Sequence, residues 1–332
     1  MSHSIAFAGF RHPHIHGLWA RAKDHPDSNI VGAWENDPDT RKELEAAGEV
    51  TLTHDSFETM LAESDCTIVA IGDTYARRGA LAIAALQAGK HLISDKPLCI
   101  SLDELGEIER LAREKNLSVG CQLDLREAGS IRKLQQVIQS GTIGKVCTIT
   151  STGQHPLRYG VRAAWYFEPG QHGGTINDIG VHVFDFAPWL TGSSWKSILA
   201  ARAWNAKAVE APHFNDCAQF LATLEDGTSC FADLSYLAPN AIGFELPQYW
   251  RVTVHGTKGM AETAYNSPIV TVVTDEDSAP QELPALSDTP AGYLQDFIDE
   301  IGGTPSATGL STASVLATSR KSLEVQALAD QS

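Results

Sequence analysis

Between Ile5 and Cys121, short β-rich apolar runs alternate with helix-patterned stretches, and no other feature constrains the fold of this chain as strongly. Ile5–Ala8 is followed by Gly9 and a helix-like stretch from Gly17. Ile30–Trp34 precedes a charged helical pattern at Asp39–Ala47. Cys66–Ile71 stops at Gly72, Ala76–Ala88 reads as a helix closed by Gly89, and His91–Ser94 is the next strand. Ser101-Leu102-Asp103-Glu104 has the form of a capping box opening a helix to about Lys115, and Leu117–Cys121 is a further strand. Strands separated by helices at this spacing predict a doubly wound parallel sheet covered on both faces.

The pattern changes near Gly144. Val146–Thr152 reads as a strand, 153–172 as a long polar and aromatic loop, and Thr175–Leu190 as one helix closed by Gly192. β-like runs follow at 197–204, 217–224, 228–236, 249–255, 259–264 and 269–274, joined by short turns, which predicts a large, mostly antiparallel open sheet. Late helices are expected at about 291–301 and 311–328, after Pro290 and Gly309. The fold class is therefore α/β followed by α+β. The expected domains are 1–124 and 125–332, with the late helices free to pack back on the first.

Composition narrows the partners. The 332 residues carry a formal net charge of −16, a field that repels phosphate backbones and anionic membranes, so neither nucleic acid nor a membrane is an expected partner. No basic, apolar leader opens the sequence at Met1–Ile5. The six cysteines (66, 99, 121, 147, 217 and 230) contain no Cys-x-x-Cys pair, so reduced thiols and a cytoplasmic location are expected.

The first strand ends in Gly9-Phe10-Arg11-His12-Pro13-His14, where a dinucleotide-binding Gly-x-Gly-x-x-Gly would stand. Only the first glycine is present. Arg11 takes the place of the second and can contact phosphate directly, with the helix N-terminus behind it. A plain strand-to-helix turn fits the same residues. Glu35 closes the second strand, where an acid accepts hydrogen bonds from an adenosine ribose. With Asp37 beside it and no arginine among residues 35–37, NAD is favoured over NADP. His12, His14 and His16 could turn two or three rings the same way, but no Cys or acid adjoins them, and no metal is expected.

Asp95-Lys96-Pro97 ends another strand, and a lysine at the carboxyl edge of a parallel sheet lies in the ligand crevice. Desolvated there, its amine can orient a substrate hydroxyl; the alternative is a surface lysine in a turn. Asp178, His182 and Asp185 fall at i, i+4 and i+7 of the expected helix and share one stripe. An acid one turn from a histidine can orient the ring for general acid/base work, although a surface Asp–His pair has the same spacing.

Taken in order, these motifs resemble the Gfo/Idh/MocA family of nicotinamide-dependent sugar and polyol dehydrogenases. The family's Glu-Lys-Pro appears as Asp95-Lys96-Pro97, and its Ala/Leu-rich run ending in Gly-Lys-His as Ala82–His91. Its Asp-x-Gly-x-His helix appears as Asp178–His182 after Gly173-Gly174, and its His-Gly-Thr-Lys-Gly turn stands at 255–259. The resemblance implies an N-terminal Rossmann domain and a C-terminal α/β domain whose open sheet joins subunits into a homodimer or homotetramer. It implies that Lys96, Asp178 and His182 are the catalytic trio: His182 the general acid/base, Asp178 its partner, Lys96 the group that positions the hydroxyl. It places the cofactor against Gly9, Phe10, Arg11, His12, Pro13, Glu35, Gly72, Asp73, Tyr75, Asp95, Lys96 and Gln122. Two departures stand out: the loss of glycines at Arg11 and His14, and Asp73-Thr74-Tyr75 in place of the family's Thr-Pro.

The expected activity is reversible oxidation of a secondary alcohol on a sugar, polyol or sugar acid, with NAD as acceptor. Besides the trio's Lys96, Asp178 and His182, the loop 153–172 offers His155, Arg158, Tyr159, Arg162, Trp165 and Tyr166 to a carbohydrate substrate, and its two arginines suit an anionic one. Interface packing suits Trp165 equally. Two rival readings share the motifs: an NAD-dependent glycosidase or lyase using transient oxidation, and a non-catalytic sensor of dinucleotide or sugar.

Overall fold

A computed structural model describes residues 2–247, 249–289 and 292–331; Pro290 and Ala291, which the late-helix expectation touches, lie outside the described residues. The chain divides into two compact units. The first comprises 1–122, 170–173 and 291–320, and the second 123–169, 174–290 and 321–332.

The first unit runs β1 (His3–Ala8), α1 (His14–Asp24), β2 (Ser28–Trp34), α2 (Pro38–Ala47), α3 (Phe57–Glu63), β3 (Ile68–Ile71), α4 (Tyr75–Gln87), β4 (His91–Ser94), α5 (Leu102–Lys115) and β5 (Val119–Cys121). Its five strands are parallel in the order β2-β1-β3-β4-β5, so the winding reverses between β1 and β3. Ile5–Ala8 and Ile68–Ile71 are wholly buried, as expected for strands covered on both faces. Asp37 caps α2 by accepting the Thr40 N–H at 2.9 Å, and the Ser101 hydroxyl caps α5 by accepting from Asp103 and Glu104. α1 begins at His14, three residues earlier than its apolar pattern predicts, because Pro13 already holds helical φ and ψ. The short α3 was not foreseen.

The second unit contributes α6 (Gly129–Gln139), β6 (Val146–Pro156), α7 (Val181–Thr191), β7 (Trp195–Trp204), β8 (Cys217–Leu224), β9 (Ser229–Ala238), β10 (Val252–Gly256), β11 (Gly259–Thr263), β12 (Ile269–Thr274) and β13 (Gln281–Pro284). The eight strands form one sheet in the order β13-β12-β11-β10-β6-β9-β8-β7, antiparallel except for the parallel pair β6–β9. Alternation sets its faces. On β9, Cys230, Ala232, Leu234 and Tyr236 point into the core, while Phe231 and Leu237 remain exposed on the open side. Two expectations are corrected here. Residues 153–156 extend β6 rather than opening the loop, and the helix expected over 175–190 starts as a π-turn at Ile176–Gly180 before α7. α6 and β13 were also unforeseen, although Ile131, Leu134, Val137 and Ile138 give α6 a clear apolar stripe. The chain ends with α8 (Gly292–Ile301) and α9 (Thr312–Ala329). No described helix is long and apolar enough to cross a membrane.

Candidate active site

In the first unit the candidate residues gather at the carboxyl ends of β1, β3 and β4, beside the point where the winding reverses, which is where open α/β sheets bind ligands. Gly9 holds φ +82°, and a Cβ there would lie 2.8 Å from the Asp73 amide. A Cβ on Gly72 would strike Ile15 of α1 at 2.4 Å. These two glycines let the ends of β1 and β3 close against each other and against α1, a packing role that the missing third glycine of the fingerprint would otherwise serve.

The loop between β1 and α1 is tied down from within. The Phe10 N–H donates to the Glu35 carboxylate, and the His12 N–H donates to the Gly72 carbonyl at 3.1 Å. Glu35 also accepts the Asp37 N–H at 2.7 Å. It is buried, and that burial pushes its carboxyl up despite the two backbone donors. The acid read from sequence as a ribose acceptor therefore faces the loop's amides, and the partly exposed acid at this strand end is Asp37. The sequence places no arginine at 35–37, but the fold brings one there: Arg11 Nη1 lies 3.2 Å from Asp37. Phe10 itself is buried against Phe7 and Trp19, and Pro13 is the exposed first residue before α1.

Asp95 anchors the centre. Its carboxylate takes Arg78 Nη2 at 2.8 Å, His12 Nδ1 by a short contact, and His14 Nδ1 at 3.3 Å. Burial alone would raise the Asp95 carboxyl, but Arg78 and then His12 hold it well below the usual carboxylate range. The buried His12 ring is pushed down to about 3 by desolvation and stays neutral, and its Nε2 meets the Tyr75 hydroxyl at 3.1 Å. His12, His14 and Asp95 bring ligand atoms within 4.8 Å of one another, a juxtaposition hidden in the sequence because the acid lies 81 residues or more from either ring. Arg78 already supplies a positive charge to that carboxylate. Lys96 is buried beside this cluster, and Asp73 is buried with Arg77 Nε at 3.1 Å. Gln122 donates to the His14 carbonyl at 3.2 Å and to the Tyr293 hydroxyl.

In the second unit Asp178 sits in the π-turn, fully buried. Its Oδ2 accepts from the Tyr166 hydroxyl at 2.6 Å and from Tyr236, and the two phenol oxygens are 3.0 Å apart. Gln326 Oε1 accepts the Ile176 N–H at 2.8 Å, which satisfies the start of this helical segment. The His182 ring lies edge-on to Trp250 at 5.2 Å, with its Nδ1 3.9 Å from Asp124. Asp185 serves a different purpose from the stripe expected of it: Arg126 grips it bidentately at 2.8 and 2.6 Å, both side chains buried.

The loop residues divide. His155 contacts Tyr236, Tyr249 and Trp250, with the Tyr249 hydroxyl 3.2 Å from its Nε2. Arg162 lies over the Tyr166 ring at 4.4 Å and donates to the Pro156 carbonyl at 2.8 Å. Trp165 is buried against Tyr166. Arg158 and the exposed Tyr159 instead pack against Phe244 and Phe167. Sequence reading missed Arg78, Asp124, Tyr236 and Trp250, since each reaches its partner only through the fold.

Two family models match the chain. "Oxidoreductase family, NAD-binding Rossmann fold" covers residues 7–123, and the "GFO/IDH/MocA C-terminal domain" covers residues 131–262. An uncharacterised oxidoreductase of Bacillus subtilis is 27% identical over 237 residues, 69% of this chain and 64% of its own. The 1,5-anhydro-D-fructose reductase of Ensifer adhaerens is 31% identical over 132 residues, 39% of each chain. The chain spans about half the length of the curated relatives it matches. In fold it is similar to the aldose-aldose oxidoreductase of Caulobacter crescentus, with TM-score 0.78, 17% identity, and 100% and 98% of the two chains covered. The chain belongs to the Gfo/Idh/MocA family of oxidoreductases, its first domain being an NAD-binding Rossmann fold.

Proposed function

We propose that this protein is an NAD-dependent dehydrogenase acting on a secondary alcohol of a sugar, polyol or sugar acid. The observation that carries the reading is the buried Lys96 at the carboxyl end of β4, next to the point where the parallel sheet reverses its winding. The reductase of Ensifer adhaerens, a sugar-derivative enzyme by its name, agrees in substrate class.

The residues present fit a dinucleotide. Gly9 keeps the strand end open at a point where a Cβ would collide with Asp73, and Arg11 stands at the loop that precedes α1. The nicotinamide supplies a hydride acceptor. Gly9, Arg11 and the N-terminus of α1 hold the phosphates, and Asp37 receives the ribose hydroxyls. Lys96 donates a hydrogen bond to the reacting hydroxyl and fixes its orientation. His182 is the general acid/base contributed by the second unit, and Asp178, steadied by two phenols, supports the charge that develops there. Trp250 against the His182 ring limits water. We further infer a homo-oligomer formed through the open face of the eight-stranded sheet, where Phe231 and Leu237 are exposed; light scattering on the purified protein tests it, and a monomer refutes it.

The main test is a screen of NAD and NADP against monosaccharides, inositols and sugar acids, run on the wild type and on Lys96→Ala and His182→Ala. The expected result is NAD reduction with one substrate class and its loss in both variants. Full activity in both variants refutes the assignment.

A further inference from the structure

Arg78, on α4, is the largest of the fully buried side chains, and nothing in the mechanism above uses it. Each arm of its guanidinium is engaged. Nε donates to the Asp73 carbonyl at 2.9 Å, Nη1 to the Pro97 carbonyl at 3.1 Å, and Nη2 to Asp95 Oδ2 at 2.8 Å. Tyr75 lies under its face at 4.5 Å. Two of the three acceptors, Asp95 and Pro97, are the immediate neighbours of Lys96. His12 shares Asp95 Oδ2 with Arg78, and His14 meets the other oxygen, Oδ1.

Filling this space would not call for a charge. A buried ion pair adds little stability over well-packed apolar residues, because each ion must shed its water. A rigid planar fork does offer fixed distances between several acceptors at once. Here those acceptors lie on both sides of one lysine, together with the turn that follows β3. The lysine's backbone is thereby clamped from two directions.

We propose that Arg78 is a positioning residue for Lys96: it fixes the backbone at 95 and 97 so that the amine is held in reacting geometry. The inference rests on the reading of Lys96 as the reacting amine.

The test uses full-length Arg78→Ala, Arg78→Lys and Lys96→Ala, with thermal unfolding and NADH fluorescence binding measured alongside kinetics. Arg78→Ala should lose about a hundredfold in kcat, the usual effect of displacing a catalytic group by about 1 Å. Its affinity for NADH should stay within about threefold of wild type, since the loss lies in chemistry and not in binding. Added guanidinium ion should restore part of its kcat and leave the wild type unchanged. Arg78→Lys should recover little, because one ammonium cannot span three acceptors. Wild-type kcat in either folded variant overturns the proposal. So does a loss of NADH binding matching the loss of kcat, or the failure of both variants to fold, since either outcome assigns Arg78 to upholding the domain. Full activity in Lys96→Ala defeats the reading of the lysine itself; an inactive Lys96→Ala beside an active Arg78→Ala defeats only the role given to Arg78.

Discussion

The hydroxyl of Tyr166 donates to Asp178 Oδ2 across 2.6 Å, and Tyr236 donates to the same oxygen. A buried carboxylate held by two phenols cannot swing, so its charge has a fixed direction relative to the helix that carries His182. Tyr166→Phe removes one donor and keeps the ring, so the aromatic packing against Trp165 and Phe214 survives. Losing one hydrogen bond to a charged group should lower stability by about 1–3 kcal/mol and kcat by about tenfold. The Michaelis constant for NAD should not move, because the effect lies on the substrate side. Steady-state kinetics and urea unfolding on the one variant check both numbers. A change confined to the Michaelis constant for NAD would refute the role given to Asp178.

The His12–Asp95 pair makes a prediction about acid. Burial pushes the His12 ring from 6.5 to about 3, so the folded protein declines a proton that the unfolded chain accepts. Stability therefore falls as pH drops below 6.5, and continues to fall until the folded ring itself titrates. Asp95 acts in a lower window. Its folded carboxyl lies well below 3.8, so its contribution is complete above that pH and is lost on further acidification. His12→Asn keeps a side-chain donor and removes the titration. Between about pH 6 and pH 4 its stability should change less steeply than wild type, by up to ~1.4 kcal/mol per pH unit. Denaturant curves at three pH values decide it, and parallel slopes contradict a neutral, buried His12.

Much of this was legible in the sequence where burial imposes a pattern. Ile5–Ala8 and Ile68–Ile71 are covered on both faces, so they read as unbroken apolar runs, and β8 alternates so regularly that its ends fall where the pattern places them. Short or irregular pieces left weaker traces. α3 spans seven residues, and the π-turn before α7 has no periodicity that separates it from an ordinary helix. The site was legible as residue types at strand ends and not as partnerships. Arg78 sits in an Ala/Leu-rich helix and looks like part of a solvated face; only the return of β4 brings Asp95 to it. Glu35 occupies the expected strand end but turns inward, because the Phe10 and Asp37 amides needed an acceptor. Tyr236 reaches Asp178 from a strand 58 residues further along.

Asp185 separates structure from chemistry within one helix. It lies seven residues after Asp178, but its carboxylate is spent on Arg126, whose guanidinium also lies 5.6 Å from the Trp189 ring. Asp185→Ala leaves a buried guanidinium without its counter-ion, which should cost about 3–5 kcal/mol. Urea unfolding measures that loss. The protein that remains folded at low temperature should keep its kcat, whereas Asp178→Asn should do the reverse, losing activity and little stability. If Asp185→Ala abolishes turnover in folded protein, the division between the two acids is wrong.

Cofactor choice turns on Arg11 and Asp37. The two side chains lie 3.2 Å apart and both are partly exposed, at the end of β2 where an adenosine ribose is expected. While Asp37 is present, its charge opposes a 2′-phosphate and engages the arginine that could otherwise bind one. Asp37 also caps α2 through the Thr40 N–H, so Asp37→Ser is the better substitution, since serine still caps. In that variant Arg11 loses its carboxylate partner and can pair with phosphate. The ratio of kcat/KM for NAD to that for NADP should fall by about tenfold or more, equivalent to ~1.4 kcal/mol of altered discrimination. The shift should shrink as salt is raised, because the contact is partly solvated. A ratio that stays constant in Asp37→Ser would place the ribose elsewhere and remove the case for NAD preference at this strand end.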